Sequence, residues 1–531
     1  MPSALVTMKV KEPNWLRRTD PIFVGKDVLE LLSSSMYIDP LSMYREYVQN
    51  AADAYDFVRE CESSEAIGRV DIRIEPAARR ILITDFGYGL DERMFYQRLT
   101  AIGGSSKRGT AARGFRGVGR LAGLAYCQEL IFRTRPYGTR SVQEMRWDSR
   151  KIRDLLRSQD TTLDLARIVS DCVETRTIAG ADAPQHFFEV ELRGVVRHGN
   201  DRLLDAGEVA RYLGQVAPVP FGPEFSFGRQ ILDFLRSTGT DRIPLHIEIA
   251  GTGQVFRPYS DRLELGNDKF IAFTSLETFT TLDRDGAPAA ASWILHHGYN
   301  GALPRTSQVS GWRFRSGDIQ IGGNDIIQDL YPEPRFNAWT VAESHVLDRK
   351  IIPNGRRDNF EHNAFFADLL TRLTPHVRNI AQLCRTSSIN RNLRRRIADD
   401  LEKCEQKIGI ACKKRTPPAV VRSLAEEVRH CLDGVEASSR RALISSEDRS
   451  AIEGRTKSFR SKLLSLKEHG DSKDSLAEFP PTQRRVLNGV FEVIYESSSS
   501  LGLADELIGK IIAKMRRGRQ PKKARSKRNR R

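Results

Sequence analysis

An amphipathic helix near the start of the chain gives the clearest hydrophobic pattern. Residues 41–61 read LSMYREYVQNAADAYDFVREC. At ~100° per residue, the apolar side chains stack along one side of this helix: Leu41, Tyr44, Val48, Ala51, Tyr55 and Val58. Glu46, Asn50 and Asp53 share the opposite side. An ordinary surface helix would also fit, but small alanines beside these polar groups favour the approach of another molecule.

A strand that ends in a carboxylate follows this helix. Residues 70–75 and 81–85 predict a hairpin with its turn at residues 76–78, and the second strand runs into Asp85-Phe-Gly87-Tyr-Gly89. An Asp at a strand end followed by two glycines indicates a carboxylate aimed into a pocket, with backbone that can pass close to a ligand.

Two glycine-containing segments come next, with Ser106 and Lys107 in the first and Gly114, Gly117, Val118 and Gly119 in the second. The second segment is predicted to lead into an apolar helix. A glycine-rich loop at the start of a helix offers backbone N–H groups and the helix dipole to phosphates.

The remaining pattern divides the chain into further units. Strands are predicted at 128–134, 142–147 and 187–195, which mixes strands and helices without regular alternation and indicates an α+β fold. Residues 216–225, rich in Pro and Gly, predict a hinge. Beyond it we predict strands at 245–249, 270–273, 292–297 and 318–321, then charged helices from 365 to about 467 and two more within 483–513.

The order E-x-x-x-N-A-x-D-A, D-x-G-x-G and G-x-x-G-x-G over residues 46–119 resembles the GHKL ATPases. This superfamily includes gyrase B subunits, ninety-kilodalton heat-shock chaperones, histidine kinases, MutL and MORC proteins. The resemblance covers roughly residues 25–200. It implies the Bergerat fold, an ATP-binding α/β sandwich, followed by an α/β middle or transducer-like domain and a helical C-terminal region.

The resemblance also implies a role for each motif residue. Glu46 would polarise the water that attacks the γ-phosphate of ATP, and Asn50 would ligate Mg²⁺, within a binding box that extends to Asp53 and Ala54. Asp85 would accept a hydrogen bond from the adenine amino group, where Gly87 and Gly89 leave space for the base. The remaining expected contacts with ATP lie in the lid over the phosphates: Ser106, Lys107, Gly114, Gly117, Val118 and Gly119.

One expected motif is missing. Many relatives open a late strand with a Gly-Thr pair, whose Thr supports the adenine-binding Asp. The counterpart here starts at His186-Phe-Phe and has no Gly-Thr. His186 could substitute for that hydroxyl contact or could be structural.

The middle domain of relatives reaches across to the γ-phosphate with a basic residue. The candidates for this catalytic contact are Arg305, Lys350, Arg356 and Arg357. Residues 351–361 read IIPNGRRDNFE, which places two arginines on a loop that contains glycine and favours contact with a ligand or partner. Structural pairing of these arginines with Asp348 or Asp358 is the alternative.

Composition and charge refine this division. The net charge is +16, but the tail at 514–531 holds eleven Lys or Arg and no acid, which leaves +5 (16 minus 11) for the rest of the chain. We therefore predict an N-terminal arm at 1–24, an ATP-binding domain at 25–225, a middle domain at 226–365, a helical region at 366–513 and a disordered basic tail at 514–531. Nucleic acid is the expected partner of the tail, through counterion release. A ribosomal contact, a membrane-surface contact and a purely solubilising role are the alternatives.

Cysteine usage and hydropathy indicate the compartment. The seven cysteines include no CxxC pair, so neither a zinc site nor a disulfide framework is indicated. The chain shows no secretory signal and no apolar run of ~20 residues that could span a membrane. We expect a cytoplasmic protein, with nucleoid association as a further expectation.

The resulting hypothesis is an ATP-gated dimer clamp of the heat-shock-chaperone or MORC type that hydrolyses ATP with Mg²⁺ and acts on nucleic acid or a nucleoprotein complex. A chaperone-like ATPase with protein clients and a nonhydrolysing ATP sensor remain alternatives. A histidine kinase is disfavoured because no His precedes His186 to accept a phosphate. A topoisomerase subunit is disfavoured because the chain after the middle domain is short and lacks an acidic D-x-D cluster.

Overall fold

The computed structural model describes the helices, strands and loops at residues 39–62, 68–102, 119–158, 164–180, 183–197, 199–240, 244–266, 269–413, 418–468, 476 and 478–517. The chain divides into two compact units, Met1–Ala381 and Gln382–Arg531. The predicted arm at 1–24 and residues 518–531 of the predicted tail lie outside the described residues.

The first part of the first unit alternates helices with antiparallel strands. Its elements, in chain order, are α1 (Ser42–Glu62), β1 (Arg69–Glu75), β2 (Arg80–Asp85), α2 (Glu92–Thr100), β3 (Glu129–Arg135), β4 (Ser141–Asp148), α3 (Ser149–Arg157), α4 (Leu165–Cys172), β5 (Val173–Ala179), β6 (Phe187–Arg193), α5 (Ala206–Val216), α6 (Gly228–Ser237), β7 (His246–Ile249) and β8 (Gly253–Gln254). In the described part of the chain these eight strands form one sheet, in the order β5-β4-β3-β6-β2-β1-β7-β8.

The sequence predicted the centre of this sheet correctly. The helix predicted at 41–61 is α1, and the hairpin predicted around residues 76–78 is β1–β2, in which Val70 pairs with Asp85. The strands predicted at 128–134, 142–147 and 187–195 are β3, β4 and β6. The α+β class is confirmed.

The two faces of the sheet differ in chemistry. One face carries apolar side chains such as Ile83 and Phe132, which form a single core with Tyr44 and Val48 of α1. The other face carries paired charges: the guanidinium of Arg133, for example, contacts carboxylates of both β4 and β6. An antiparallel sheet with one face in the core shows this alternation, and it places α1 directly against the sheet.

The sheet extends beyond the predicted hinge. Residues 245–249 were predicted as a strand of the second domain, but β7 pairs in parallel with β1, with Val70 opposite Ile247. The prediction of a strand was correct, but this strand joins the first sheet, because local hydropathy does not specify which sheet a strand joins. The first sheet therefore includes a strand that lies beyond the predicted boundary at residue 225.

A second sheet follows within the same unit. Its elements are β9 (Arg262–Gly266), β10 (Lys269–Ala272), β11 (Ser275–Leu282), β12 (Pro288–His296), β13 (Gly311–Ser316), β14 (Ile319–Ile321) and β15 (Val341–Val346). Among the described residues, β9 and β10 pair separately, and the other five form a sheet in the order β11-β12-β15-β13-β14. The sequence predicted β10, β12 and β14 but missed β9, β11, β13 and β15.

Buried charges connect the second sheet to the end of α5. Glu343 of β15 accepts hydrogen bonds from Arg315 Nε at 2.9 Å and from Arg257 Nη1 at 3.3 Å. Arg315 Nη2 also donates to the carbonyl of Gln215 at 2.8 Å, and Arg257 Nε donates to the carbonyl of Val219 at 2.9 Å. Buried charges are stable when they are paired and hydrogen-bonded, so this network fixes the second sheet relative to the end of α5.

The C-terminal part of the chain is helical, as predicted. The helices are α7 (Ala364–Ala411), which begins in the first unit and ends in the second, α8 (Pro418–Arg441), α9 (Ser446–Glu468), α10 (Pro481–Ser497) and α11 (Leu501–Arg517). Leu401, Val428 and Phe459 belong to one apolar cluster of the second unit, and Phe491 and Ile508 belong to another. Within the described residues, no helix has the length and apolar character needed to cross a membrane.

Candidate nucleotide site

The carboxylate of Glu46 is the centre of the candidate site. It lies on α1 with only 4% of the residue exposed. Arg45 Nη2 lies 3.6 Å from its Oε1, and Arg357 Nη2 lies 3.6 Å from its Oε2. Among the described residues, Oε1 has no hydrogen-bond partner. A carboxylate that is held by ion pairs and still has a free lone pair can accept a proton or orient a water molecule.

The second cation comes from a loop of the middle region. The loop is closed by the bridge between Pro353 and Phe360, and Arg357 takes a left-handed backbone conformation with φ of 57°. The N–H of Gly322, which follows β14, donates to the carbonyl of Arg357 at 2.9 Å. The second sheet therefore supports the loop that delivers this guanidinium to Glu46.

The other basic candidates lie elsewhere. Arg356 is exposed, and its main-chain carbonyl, not its side chain, accepts from Arg45 Nη2 at 3.5 Å. Lys350 lies over the ring of Phe365 at 4.8 Å, and Arg305 is exposed in a short 3₁₀ turn. Among the contacts of the described residues, none joins Lys350 or Arg305 to Glu46. Arg45, which the sequence analysis missed, is the additional cation at the site.

The next turns of α1 carry the candidate metal ligand. Asn50 is partly exposed one turn after Glu46, and Asp53 is buried further along. The described residues contain no cluster of three His, Cys, Asp or Glu able to hold a metal ion. Mg²⁺ commonly takes one or two protein oxygens and completes its shell with water and phosphate oxygens. The Asn50 amide oxygen fits that limited role.

Asp85 marks the other end of the site. It is the last residue of β2, it is buried, and its Oδ1 accepts from the N–H of Gly87 at 3.0 Å. Burial raises the pKa of Asp85 to about 7, although the Gly87 N–H and the nearby His186 act in the opposite direction. A side chain on Gly87 would start 3.5 Å from Ala54 Cβ on α1, so Gly87 keeps open the space between the helix and this carboxylate.

Gly89 and Tyr55 fix the chain around Asp85. Gly89 has φ of +67°, and a Cβ there would lie 2.5 Å from the carbonyl oxygen of Arg135. The hydroxyl of Tyr55 accepts from the N–H of Phe86 at 3.0 Å and donates to the carbonyl of Arg69 at 2.9 Å. The Tyr55 hydroxyl thereby joins the start of β1 to the residue that follows β2. The sequence analysis assigned Tyr55 only to the apolar side of α1, because hydropathy does not report a hydroxyl contact.

We predict that Asp85→Asn stabilises the ligand-free protein at pH 8. The folded-state pKa of Asp85, about 7, lies above the usual Asp value, so the folded chain takes up a proton as the pH falls from 7 to about 4. The loss of folding stability that the ionised, buried carboxylate causes is absent below about pH 4 and complete above about pH 7. Removing the charge should raise the free energy of unfolding by about 2–4 kcal/mol at pH 8.

Thermal denaturation at pH 8 and pH 5 measures this effect. The gain in melting temperature should be large at pH 8 and should shrink at pH 5. Asp91→Asn is the matched control, because Asp91 caps α2 on the surface. A loss of stability at pH 8 in the Asp85 variant would contradict the prediction.

Gly119 is the described end of the predicted lid. A Cβ on Gly119 would lie 2.2 Å from Glu46 Oε2, so this backbone touches the carboxylate. The other lid candidates, Ser106, Lys107, Gly114, Gly117 and Val118, lie outside the described residues.

The apolar helix predicted after the lid is a 3₁₀ turn, Gly119–Ala125. The hydroxyl of Tyr47 accepts from the N–H of Gly123 at 2.9 Å and donates to the carbonyl of Arg120 at 3.2 Å. A Cβ on Gly123 would lie 2.6 Å from that hydroxyl. These contacts hold the segment in a short, tight turn against α1, which the apolar pattern alone could not distinguish from an α-helix.

We predict that Gly119→Ala lowers ATP hydrolysis about 10- to 100-fold, because displacement of a catalytic group by about 1 Å is enough for such a loss. Steady-state phosphate release measures it. Gly222→Ala is the matched control, because a Cβ on Gly222 meets nothing within 4 Å. Equal rates for both variants would show that Gly119 does not restrict Glu46.

Comparisons with known proteins agree with this geometry. Residues 43–176 match the family described as histidine kinase-, DNA gyrase B-, and HSP90-like ATPase. The chain is 30% identical over 141 residues to the chaperone protein HtpG of Polaromonas sp. (strain JS666), which covers 23% of this chain and 22% of that protein. It is 32% identical over 146 residues to HtpG of Cupriavidus metallidurans, which covers 23% of each chain. The similarity is therefore confined to less than a quarter of these relatives.

Proposed function

We propose that this chain, whose residues 43–176 form a GHKL-family ATPase domain, binds ATP with Mg²⁺ and hydrolyses it to ADP and phosphate. The observation that carries the proposal is the Glu46 carboxylate, which is buried on α1 between Arg45 and Arg357 and touched by Gly119. Transfer of a phosphoryl group to water needs positioning and neutralisation of charge more than covalent catalysis. A buried carboxylate flanked by two guanidinium groups supplies both.

Glu46 acts on water in this scheme. Its free lone pair orients the water for in-line attack on the γ-phosphate. The carboxylate takes up the water proton as the new P–O bond forms, while the bond from the γ-phosphorus to the bridging oxygen breaks and ADP leaves. Mg²⁺, held through Asn50, would neutralise charge on the phosphate oxygens. At the other end of α1, the ionised Asp85 accepts from the amino group of adenine.

Arg357 supplies the contact from the middle region to the γ-phosphate. Its guanidinium Nη2 lies 3.6 Å from Glu46 Oε2. The γ-phosphate carries more negative charge than a carboxylate, and guanidinium pairs well with phosphate oxygens. ATP therefore draws Arg357 away from Glu46, which frees the carboxylate for water. This exchange links ATP binding to the position of the middle sheet.

The larger role we propose is that of a cytoplasmic, ATP-gated dimer clamp acting on nucleic acid or a nucleoprotein complex. The supporting observation is the basic tail: eight Lys or Arg and no acid follow residue 517. Protein clients are the second candidate, supported by the similarity to proteins named as chaperones. An ATP sensor that does not hydrolyse is the third.

The ATPase rate with and without double-stranded DNA, at two salt concentrations, separates these roles. The comparison uses the full chain, a chain truncated after Arg517 so that α11 stays whole, and a full-length chain whose tail Lys and Arg are Gln. DNA should increase the ATPase rate if the chain is a nucleic-acid clamp. High salt and either tail variant should then abolish this increase. A basal rate indifferent to DNA favours protein clients. ATP binding without hydrolysis would favour the ATP sensor that does not hydrolyse.

A further inference from the structure

His186 lies against the turn that carries Asp85. It directly precedes β6, which pairs with β2 so that Phe188 lies opposite Asp85. The Nδ1 of His186 is 2.9 Å from the carbonyl oxygen of Gly87. Because a carbonyl oxygen only accepts, Nδ1 carries the hydrogen in this contact. The imidazole therefore restrains the Asp85–Gly87 turn through this carbonyl.

Neighbouring groups hold the ring in place. The rings of Tyr88 and Tyr137 lie 6.4 Å and 5.7 Å from the imidazole, centroid to centroid. The N–H of Tyr137 donates to the carbonyl of Tyr88 at 3.1 Å. Just before His186 in the chain, Arg135 Nη1 donates to the carbonyls of Gly180, Ala183 and Pro184 at 2.9–3.0 Å. A histidine fixed in this way is preorganised to position its partner.

We propose that His186 is the positioning residue of the base-binding end of the site: it holds the Asp85–Gly87 turn through Nδ1, so that the Asp85 carboxylate is presented to the amino group of the base. This inference rests on the proposed ATP-binding function and deepens it. It assigns preference for an amino-bearing purine, and the pH range of nucleotide binding, to a histidine.

Few other charges act on Asp85. Tyr55 of α1 faces it as a neutral hydroxyl. Arg69 of β1 lies over the ring of Phe86 and is already paired with Asp71 at 2.7 Å. On β3, Thr134 presents an uncharged hydroxyl, which accepts from the N–H of Leu90. Within the described residues, the Gly87 N–H and the nearby His186 are therefore the groups that oppose the effect of burial on the pKa of Asp85.

The sign of the pH effect follows from these contacts. An amino group of the base donates to Asp85, so binding is strongest when the carboxyl is ionised. Burial raises the pKa of Asp85 to about 7, and the charge of His186 lowers it from what burial alone would give. Nucleotide affinity should fall as the pH drops below about 7. Without the imidazole, that fall should begin at higher pH.

Calorimetric titration of the full chain with ADP from pH 6 to pH 9 tests the proposal. His186→Asn keeps an N–H donor close to the position of Nδ1 but cannot become charged, and His186→Leu removes both properties. His246→Asn is the matched control, because His246 is a partly exposed histidine of the same sheet, paired with Glu248. Asp85→Asn shows the affinity without the carboxylate. The melting temperature of each variant reports whether it is folded.

The Asn variant should bind ADP within about threefold of the unmodified chain at pH 8.5, with its acid midpoint moved up by roughly 0.5 pH unit. The Leu variant should bind about three- to tenfold more weakly at all pH values. An unmoved midpoint in the Asn variant, or unchanged affinity in the Leu variant, would overturn the assignment to His186. If the unmodified chain binds no ADP at pH 8.5, the proposed function itself is wrong and this inference falls with it.

Discussion

Replacing Glu46 with alanine should reduce ATP hydrolysis at least about 100-fold, because no other described acceptor is held at this point to orient the attacking water. ATP binding should persist. The substitution also leaves Arg45 and Arg357 without the carboxylate that lies 3.6 Å from each of them. The guanidinium of Arg357 no longer competes for this carboxylate and can contact the phosphates, so we expect ATP affinity to equal or exceed that of the unmodified chain.

Single-turnover hydrolysis and equilibrium titration with a nonhydrolysable ATP analogue measure the two effects separately. Glu46→Gln tests the charge alone, because the amide keeps the shape of the side chain but cannot take up a proton. Gln49→Ala is the control on the same helix: Gln49 is buried, and its side-chain oxygen has no hydrogen-bond partner among the described residues. Hydrolysis by Glu46→Gln at the unmodified rate would show that another group activates the water.

Replacing Arg357 with alanine should reduce hydrolysis about 100-fold, because a preorganised cation at a transferring phosphoryl group is lost. ADP lacks the γ-phosphate, so its affinity should change little. The affinity for an ATP analogue should fall, and the difference between the two nucleotides identifies the γ-phosphate as the point of contact.

The neighbouring residue provides a matched control. Arg356 contributes its main-chain carbonyl to Arg45, so Arg356→Ala keeps that contact and should hydrolyse ATP within about threefold of the unmodified rate. Lys350→Ala should behave in the same way, because Lys350 lies over Phe365. A large loss in the Lys350 variant together with an active Arg357 variant would move the γ-phosphate contact to Lys350.

Local sequence pattern was sufficient to predict those elements whose structure depends on residues that are neighbours in the chain. The 3.6-residue period specified α1 and put Glu46, Asn50 and Asp53 on one side of it. The apolar run and Pro76 specified the β1–β2 hairpin, whose register places Asp85 at the strand end. These elements also carry the motifs that resemble GHKL ATPases, so the comparisons agree with the sequence over this region.

Local pattern failed where burial depends on distant partners. Strands β13 and β15 read as polar because they contain Arg313, Arg315 and Glu343, which are buried nonetheless. Glu343 accepts from Arg315 across the sheet and from Arg257 beyond it, and such compensation is invisible to a hydropathy period. Strand β5 was missed for a different reason: its side chains are mostly exposed at the sheet edge, so they follow no alternation.

The sequence by itself determined that a carboxylate, an amide and a second carboxylate share one side of a helix, and that another carboxylate ends a nearby strand. The tertiary structure alone decided which cation from the distant loop reaches Glu46. Arg45, the neighbour of Glu46, contacts Arg356 of that loop, 311 positions away in the chain. A periodic pattern predicts which side of a helix is covered but not which distant loop covers it. That choice depends on Gly322, which follows β14 and donates to the carbonyl of Arg357, and on the buried arginines that join the second sheet to Gln215 and Val219.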